Sequence, residues 1–301
     1  MSVAQAGIFA LGTPSHLYLE FDRRPGTEGR TLARGVADLR DPRTTMAGVN
    51  LVSGFRPDLW REFQPDAIPP TLVGFDRDLV GPDGYGMPAT QHDLVLWFSG
   101  SSYDVVFDEA RQAIQQLSSV ATVADETSGW SYHHDHDLTG FIDGTENPTL
   151  YEAPSVVLIP EGSAGAGGSV LLVQQWKHDA LRWESLAPES QEAVIGRRKA
   201  DSAELSPKPP DSHVRRTDQD VFGKIFRRNV AYGSVTDHGT LFVGFCADQG
   251  PLLRMLESML GIPDGPRDAL TRYATARTGA FYFVPPMSGL RALASPGPRG
   301  D

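Results

Sequence analysis

An α+β fold is predicted for this chain by three features: short runs of β-branched and aromatic residues between turn residues, two amphipathic helical stretches, and a strand–turn–helix order found once in each half. The strand-like runs are Leu17–Phe21, Asn50–Phe55, Leu94–Phe98, Val156–Ile159, Val170–Gln174, Leu241–Cys246 and Phe281–Val284. Side chains of these types crowd a helical turn and fit a pleated surface. Along the first helix Val106, Ala110, Ile114 and Leu117 share one face. Along the second, Leu252, Leu253, Leu256 and Leu260 do so, and Gly261 supplies a stop. Leu94–Phe98 leads into the first helix and Leu241–Cys246 into the second, an order that implies an internal duplication. Two packed halves follow, each an antiparallel sheet with helices on one face.

The boundary between them falls within residues 120–140, where Thr127-Ser128-Gly129 and a polar His/Asp stretch break the periodic pattern, giving units 1–130 and 131–292. Gly162–Gly168 reads as a flexible turn between strands and not as a phosphate cradle, because no Lys-Ser/Thr follows it. The tail, 293–301, reads as disordered.

A chain of 301 residues holds one large domain or two of about 150 residues each. With 40% hydrophobic and 22% charged residues it is neither disordered nor too small to enclose a prosthetic group. Its net charge of −11 lacks the basic footprint of nonspecific nucleic-acid binding. Cys246 is the sole cysteine, which excludes an intrachain disulfide and a thiolate metal cluster. The amino-terminal MSVAQAGIFALGTPSH has no charged segment followed by a long apolar one, and no stretch reaches the roughly 18–20 apolar residues of a membrane span. A reduced cytoplasmic protein with no membrane partner is expected.

Three stretches hold residues suited to chemistry. Gly140-Phe-Ile-Asp-Gly-Thr-Glu-Asn-Pro148 is rich in turn formers, and a tight loop of this kind holds a carboxylate, Asp143, rigidly beside a ligand or simply caps a turn with it. Ser212-His213-Val214-Arg215 follows the Pro-rich Lys208-Pro209-Pro210. Arg227-Arg228-Asn229 leads into Tyr232-Gly233. Taken singly, a histidine such as His213 is more often an ordinary core or surface residue, and adjacent arginines are usually a solvated pair.

Their order along the chain resembles the dye-decolourising peroxidases. Gly140-Phe-Ile-Asp143-Gly144 matches that family's Gly-x-x-Asp-Gly loop, and Thr145-Glu146-Asn147-Pro148 extends it as in bacterial members. Ser212-His213-Val214 is similar to the proximal histidine segment, and Arg227-x-Asn229 to the distal arginine segment. The likeness also takes in Gly7-Ile-Phe and Gly12-Thr-Pro-Ser-His16, then His178-Asp179 with Trp183, then Ile195-Gly196-Arg197 with Lys199, and finally Thr278-Gly279-Ala-Phe-Tyr-Phe-Val-Pro285. Compact length and the absence of a secretion signal look most like the intracellular bacterial subgroup called B-type or P-class.

The resemblance implies two ferredoxin-like halves, each with a four-stranded antiparallel sheet, and haem b between the sheet and helices of the C-terminal half. It implies a peroxidase that reduces hydrogen peroxide and oxidises organic donors, dyes or phenols, through a ferryl intermediate. By position His213 is the iron ligand and Asp268 the carboxylate behind it, unless Asp268 merely favours the dipole of a helix Asp268–Ala276. Asp143, Arg227 and Asn229 would handle peroxide, Arg197 a haem propionate, while Phe242 and Phe245 line the haem cavity. His133 and His136 have metal-like spacing but precede a loop and lack a further ligand pair, so no metal is expected there. The tryptophans and tyrosines are either core residues or relays for electrons from bulky donors. A homo-oligomer is implied; packaging in a protein nanocompartment is not.

Overall fold

The computed structural model describes residues 3–39, 48–263 and 265–294. Residues 295–301 of the expected disordered tail lie outside these, whereas Leu293, assigned to that tail, is buried in the core. Among the described residues twelve strands run in chain order: β1 Ser15–Arg23, β2 Val49–Phe55, β3 Leu79–Val80, β4 Gly86–Met87, β5 Leu94–Gly100, β6 Ala121–Trp130, β7 Ser169–His178, β8 Phe226–Arg227, β9 Val230–Gly233, β10 His238–Cys246, β11 Ala274–Ala276 and β12 Ala280–Val284. Apart from the small β3–β4 hairpin they form one antiparallel sheet, with β11, β7, β12, β2, β5, β1, β6, β9, β10 and β8 in that order. A further pairing of β7 with β10 closes the sheet on itself.

Two groups of four are visible in the ring, β2-β5-β1-β6 and β12-β7-β10-β9. Long ladders hold each group: β1 pairs with β5 from Ser15↔Gly100 to Phe21↔Leu94, and β7 with β10 from Gly239↔Lys177 to Cys246↔Val170. Two narrow seams join the groups among the described residues, Phe283↔Phe55 on one side and Gly129↔Tyr232 with Trp130↔Ala231 on the other. Alternation along the strands separates two cores. Tyr18, Trp97, Val173, Val243, Phe245 and Tyr282 point into the ring and pack together. Leu17, Leu19 and Phe21 point outward under Val106, Ala110, Ala113 and Leu117 of the helix Tyr103–Leu117. On the other group Leu172 packs under Leu252, Met255, Leu256 and Met259 of the helix Gln249–Met259.

The α+β class and the antiparallel sheet agree with the sequence. Val156–Ile159 is not a strand: Ala153–Val157 forms a helical turn whose second residue, Pro154, arrives with its φ already set for it. Asp268–Ala276 is not one helix either; a 3₁₀ turn, Ala269–Arg272, gives way to β11, which pairs with His178–Trp176 of β7. On the helix Gln249–Met259 Leu253 is only half-buried and Met255 takes its expected place in the core. Gly162–Gly168 is a run of hydrogen-bonded turns, fastened to Ile159 by Gly167 N–H and Gly168 C=O at 2.9 Å each. Among the described residues no helix is long and apolar enough to cross a membrane.

Candidate active site

A cleft of about 1230 Å³, its open mouth included, lies between the outer face of β7 and β10 and the helix Gln249–Met259. Leu172, Gln174 and Trp176 reach it from alternate positions of β7, and Thr240 and Phe242 from β10. The same alternation removes Phe245. Three residues beyond Phe242, it points the other way, fully buried inside the ring with its centroid 6.1 Å from that of Trp97. Phe245 therefore does not line the cleft.

His213 opens the short helix His213–Arg216 and faces the cleft. Its Nδ1 lies 2.7 Å from Oδ2 of Asp268. Asp268 has no solvent exposure, and its Oδ1 accepts a hydrogen bond of 2.8 Å from Leu270 N–H. One carboxylate thus caps a 3₁₀ turn and orients an imidazole, leaving Nε2 as the ring nitrogen free of that contact. The histidine segment comes close to Gly196, where a Cβ would stand 2.8 Å from Ser212 Oγ and the φ of +95° suits only glycine well.

Asp143 leaves the Gly140 loop at the same cleft. Its Oδ1 accepts 2.7 Å from Gly144 N–H and stands 3.5 Å from Arg227 Nη2. Arg227 sits in β8, and its buried Nε has no partner among the described residues. Asn229 accepts 3.0 Å from Val243 N–H on its Oδ1, which turns its amide nitrogen away from that strand. Arg197 also lines the cleft, with Nη2 shared between Glu146 at 2.6 Å and Glu204 at 2.8 Å. His133 and His136 are not on a helix: His133 has φ +41°, and His136 Nδ1 lies 3.0 Å from the His133 carbonyl. Among the described residues no three His, Cys, Asp or Glu side chains converge on a metal-sized site.

Three features in or beside the cleft lie outside the sequence reading. Asn147 binds the backbone of Arg227 through both ends of its side-chain amide, each bond 2.9 Å. Gln174 is 1% exposed, with an amide nitrogen unpartnered among the described residues. At the end of the strands His178 Nε2 stands 3.1 Å from Thr240 Oγ1, whose hydroxyl donates to Asp137. The first and third link residues far apart in sequence, and no local spacing signals such pairs.

The walls suit a flat, largely apolar group that carries a metal needing one protein ligand. Apolar sheet and helix surfaces enclose it, an imidazole with an anchored second nitrogen supplies the ligand, and a guanidinium with a free buried donor waits on the same cavity. Comparison with known sequences decides the family. The model of the Dyp-type peroxidase N-terminal domain matches residues 31–131 and that of the C-terminal domain residues 134–289.

The chain belongs to the Dyp-type peroxidase family.

Membership makes it an enzyme of the peroxidase type. A dye-decolorizing peroxidase of Brevibacterium linens is 36% identical over 247 residues, 79% of this chain and 67% of that one. A dye-decolorizing protein from V. cholerae superposes with a TM-score of 0.87 at 34% identity, covering 96% of this chain and 99% of the other. A variant of DypB from Rhodococcus jostii RHA1, solved in complex with heme, gives a TM-score of 0.82 at 31% identity, covering 93% and 96% of the two chains. The Dyp-type fold is shared along nearly the whole chain.

Proposed function

We propose that this Dyp-type peroxidase binds haem in the cleft beside β7 and β10, reduces hydrogen peroxide there and oxidises organic donors. One observation carries the reading: a single cavity is lined by His213, whose Nδ1 is engaged by Asp268, and by Asp143, Arg227 and Asn229. Bound haem supplies a redox-active iron that accepts oxidising equivalents from peroxide and passes them to donors.

His213 would hold the iron, with Nε2 as the ring nitrogen left free by the Asp268 contact. Asp268 accepts a hydrogen bond from Nδ1–H and so fixes the tautomer and the ring orientation. Asp143 moves a proton between the two oxygens of peroxide, with Oδ2 as the working atom because Oδ1 is occupied by Gly144 N–H. The Arg227 guanidinium steadies the negative oxygen that departs as the O–O bond breaks. Asn229 orients peroxide with its amide nitrogen. Arg197, kept in place by Glu146 and Glu204, offers its remaining donors to a haem carboxylate.

Each four-stranded group is on this reading a ferredoxin-like unit, 1–130 and 131–292, with haem in the second. The strand order supports it: number the strands of either group along the chain and the spatial order is the same, second-third-first-fourth for β2-β5-β1-β6 and its reverse for β12-β7-β10-β9. A reduced cytoplasmic setting and self-association without packaging complete the proposal, and sedimentation of the holoprotein checks the association. Rapid mixing of the holoprotein with hydrogen peroxide tests the activity. Asp143→Ala and Arg227→Ala should slow the Soret change with haem still bound; wild-type rates in both would sink the assignment.

A further inference from the structure

Arg227 lies in β8, at the edge of the sheet. The next residue, Arg228, donates its N–H to Val243 C=O of β10 at 2.8 Å. Neighbouring residues of a strand point their backbone groups to opposite sides, so the N–H and C=O of Arg227 face outward, where a further strand would pair with them. Asn147 takes that place. Its Oδ1 accepts from Arg227 N–H and its Nδ2 donates to Arg227 C=O, both at 2.9 Å, across 80 positions of sequence. Only a primary amide offers an acceptor and a donor in this geometry.

Asn147 is in turn tied to Asp143. Its N–H donates to Gly144 C=O at 2.9 Å, and Gly144 N–H donates to Asp143 Oδ1 at 2.7 Å. A run of short bonds therefore joins the carboxylate on the loop to the guanidinium-bearing residue on the strand, while the two side chains themselves approach only to 3.5 Å. The backbone on either side of Asn147 thus links acid and cation independently of their own ion pair.

We propose that Asn147 is a positioning residue for the peroxide step, holding Arg227 in register with Asp143. This rests on the reading of Arg227 as the charge that steadies the departing oxygen. Removing the clamp frees the strand edge, and a small shift there misplaces a group whose effect depends on its aim.

A double-mutant cycle on the holoenzyme tests it, with hydrogen peroxide as the probe and the initial Soret change as the readout. Asn147→Ala should lower the second-order rate constant by about tenfold or more while the resting Soret band stays in place. In an Arg227→Ala background the same change should have less than about a twofold effect, because the group it aims is gone. The two lost backbone bonds persist as a difference between the backgrounds' parents and mutants, so Asn147→Ala should lower Tm equally in both. Coupling in rate without coupling in stability separates positioning from general loosening. If Asn147→Ala does not hold haem, the near-isosteric Asn147→Asp, which keeps the acceptor and loses the donor, runs the same cycle. A wild-type rate in the Asn147 variant, or an equal loss in both backgrounds, overturns the proposal. An Arg227→Ala enzyme as fast as wild type overturns the Arg227 assignment and the proposal with it.

Discussion

Asp268 divides its two oxygens between Leu270 N–H and His213 Nδ1, so its replacement by a neutral isostere reaches the iron and the backbone separately. Asp268→Asn should keep the turn, since an amide oxygen still accepts from Leu270. The imidazole, however, loses a charged acceptor and becomes a weaker donor to the metal. A higher iron reduction potential and haem affinity lower by about 10–100-fold are expected from redox titration and haem-transfer kinetics. His213→Ala should abolish the Soret band of purified protein outright. His213, Asp143 and Arg227 were unremarkable as residue types in local context and stood out only through the order in which they follow one another. Asn147 lay inside the quoted loop, yet its sequence neighbours reveal only a turn; the partner that gives it a role is in a strand formed much later in the chain.

On the scale of strands, Phe242 and Phe245 show how period two assigns function. The sequence reading sent both to the cavity, although an odd separation within one strand places them on opposite faces. Phe245→Ala should lower stability by about 3–5 kcal/mol, the cost of a large buried ring, and leave the resting Soret spectrum of the folded protein unchanged. Phe242→Ala should shift that spectrum instead. Strands rich in Val, Leu and Phe were legible because both of their faces are covered. β6 was not, since Asp125, Glu126 and other polar residues alternate along it and depress any apolar signal. Val156–Ile159 erred the other way: a β-branched run reads as extended, but Pro154 and the adjoining turn set the backbone before side-chain preference acts.

Across the whole molecule the ring encloses titratable groups as well as apolar ones. Burial pushes Glu20 up to about 7, opposed in part by the hydrogen bond from Tyr282. Burial likewise lowers His16 to about 4, its Nε2 lying 2.7 Å from the Thr13 carbonyl. Between pH 4.5 and 7 native Glu20 holds a proton that the unfolded chain releases, so its contribution to stability falls as pH rises. Between pH 4 and 6.5 unfolded His16 binds a proton that the native ring refuses, so its contribution rises with pH. In wild type the two slopes oppose each other over the shared range. Glu20→Gln removes the falling one, and its stability relative to wild type should climb by about 1.4 kcal/mol per pH unit through that range, read from Tm against pH. A difference that stays flat would show Glu20 ionised throughout.

The narrow seams of the ring bear on how the protein is made. Each four-stranded group contributes only part of the wall around the inner core, so Tyr18, Val52, Val95 and Trp97 acquire their cover only when β7, β9, β10 and β12 arrive. A ribosome releases the first group with an oily lining bare to water, and more than a third of the chain must still be translated before that lining is shut away. For that interval the nascent polypeptide is a natural client for a chaperone.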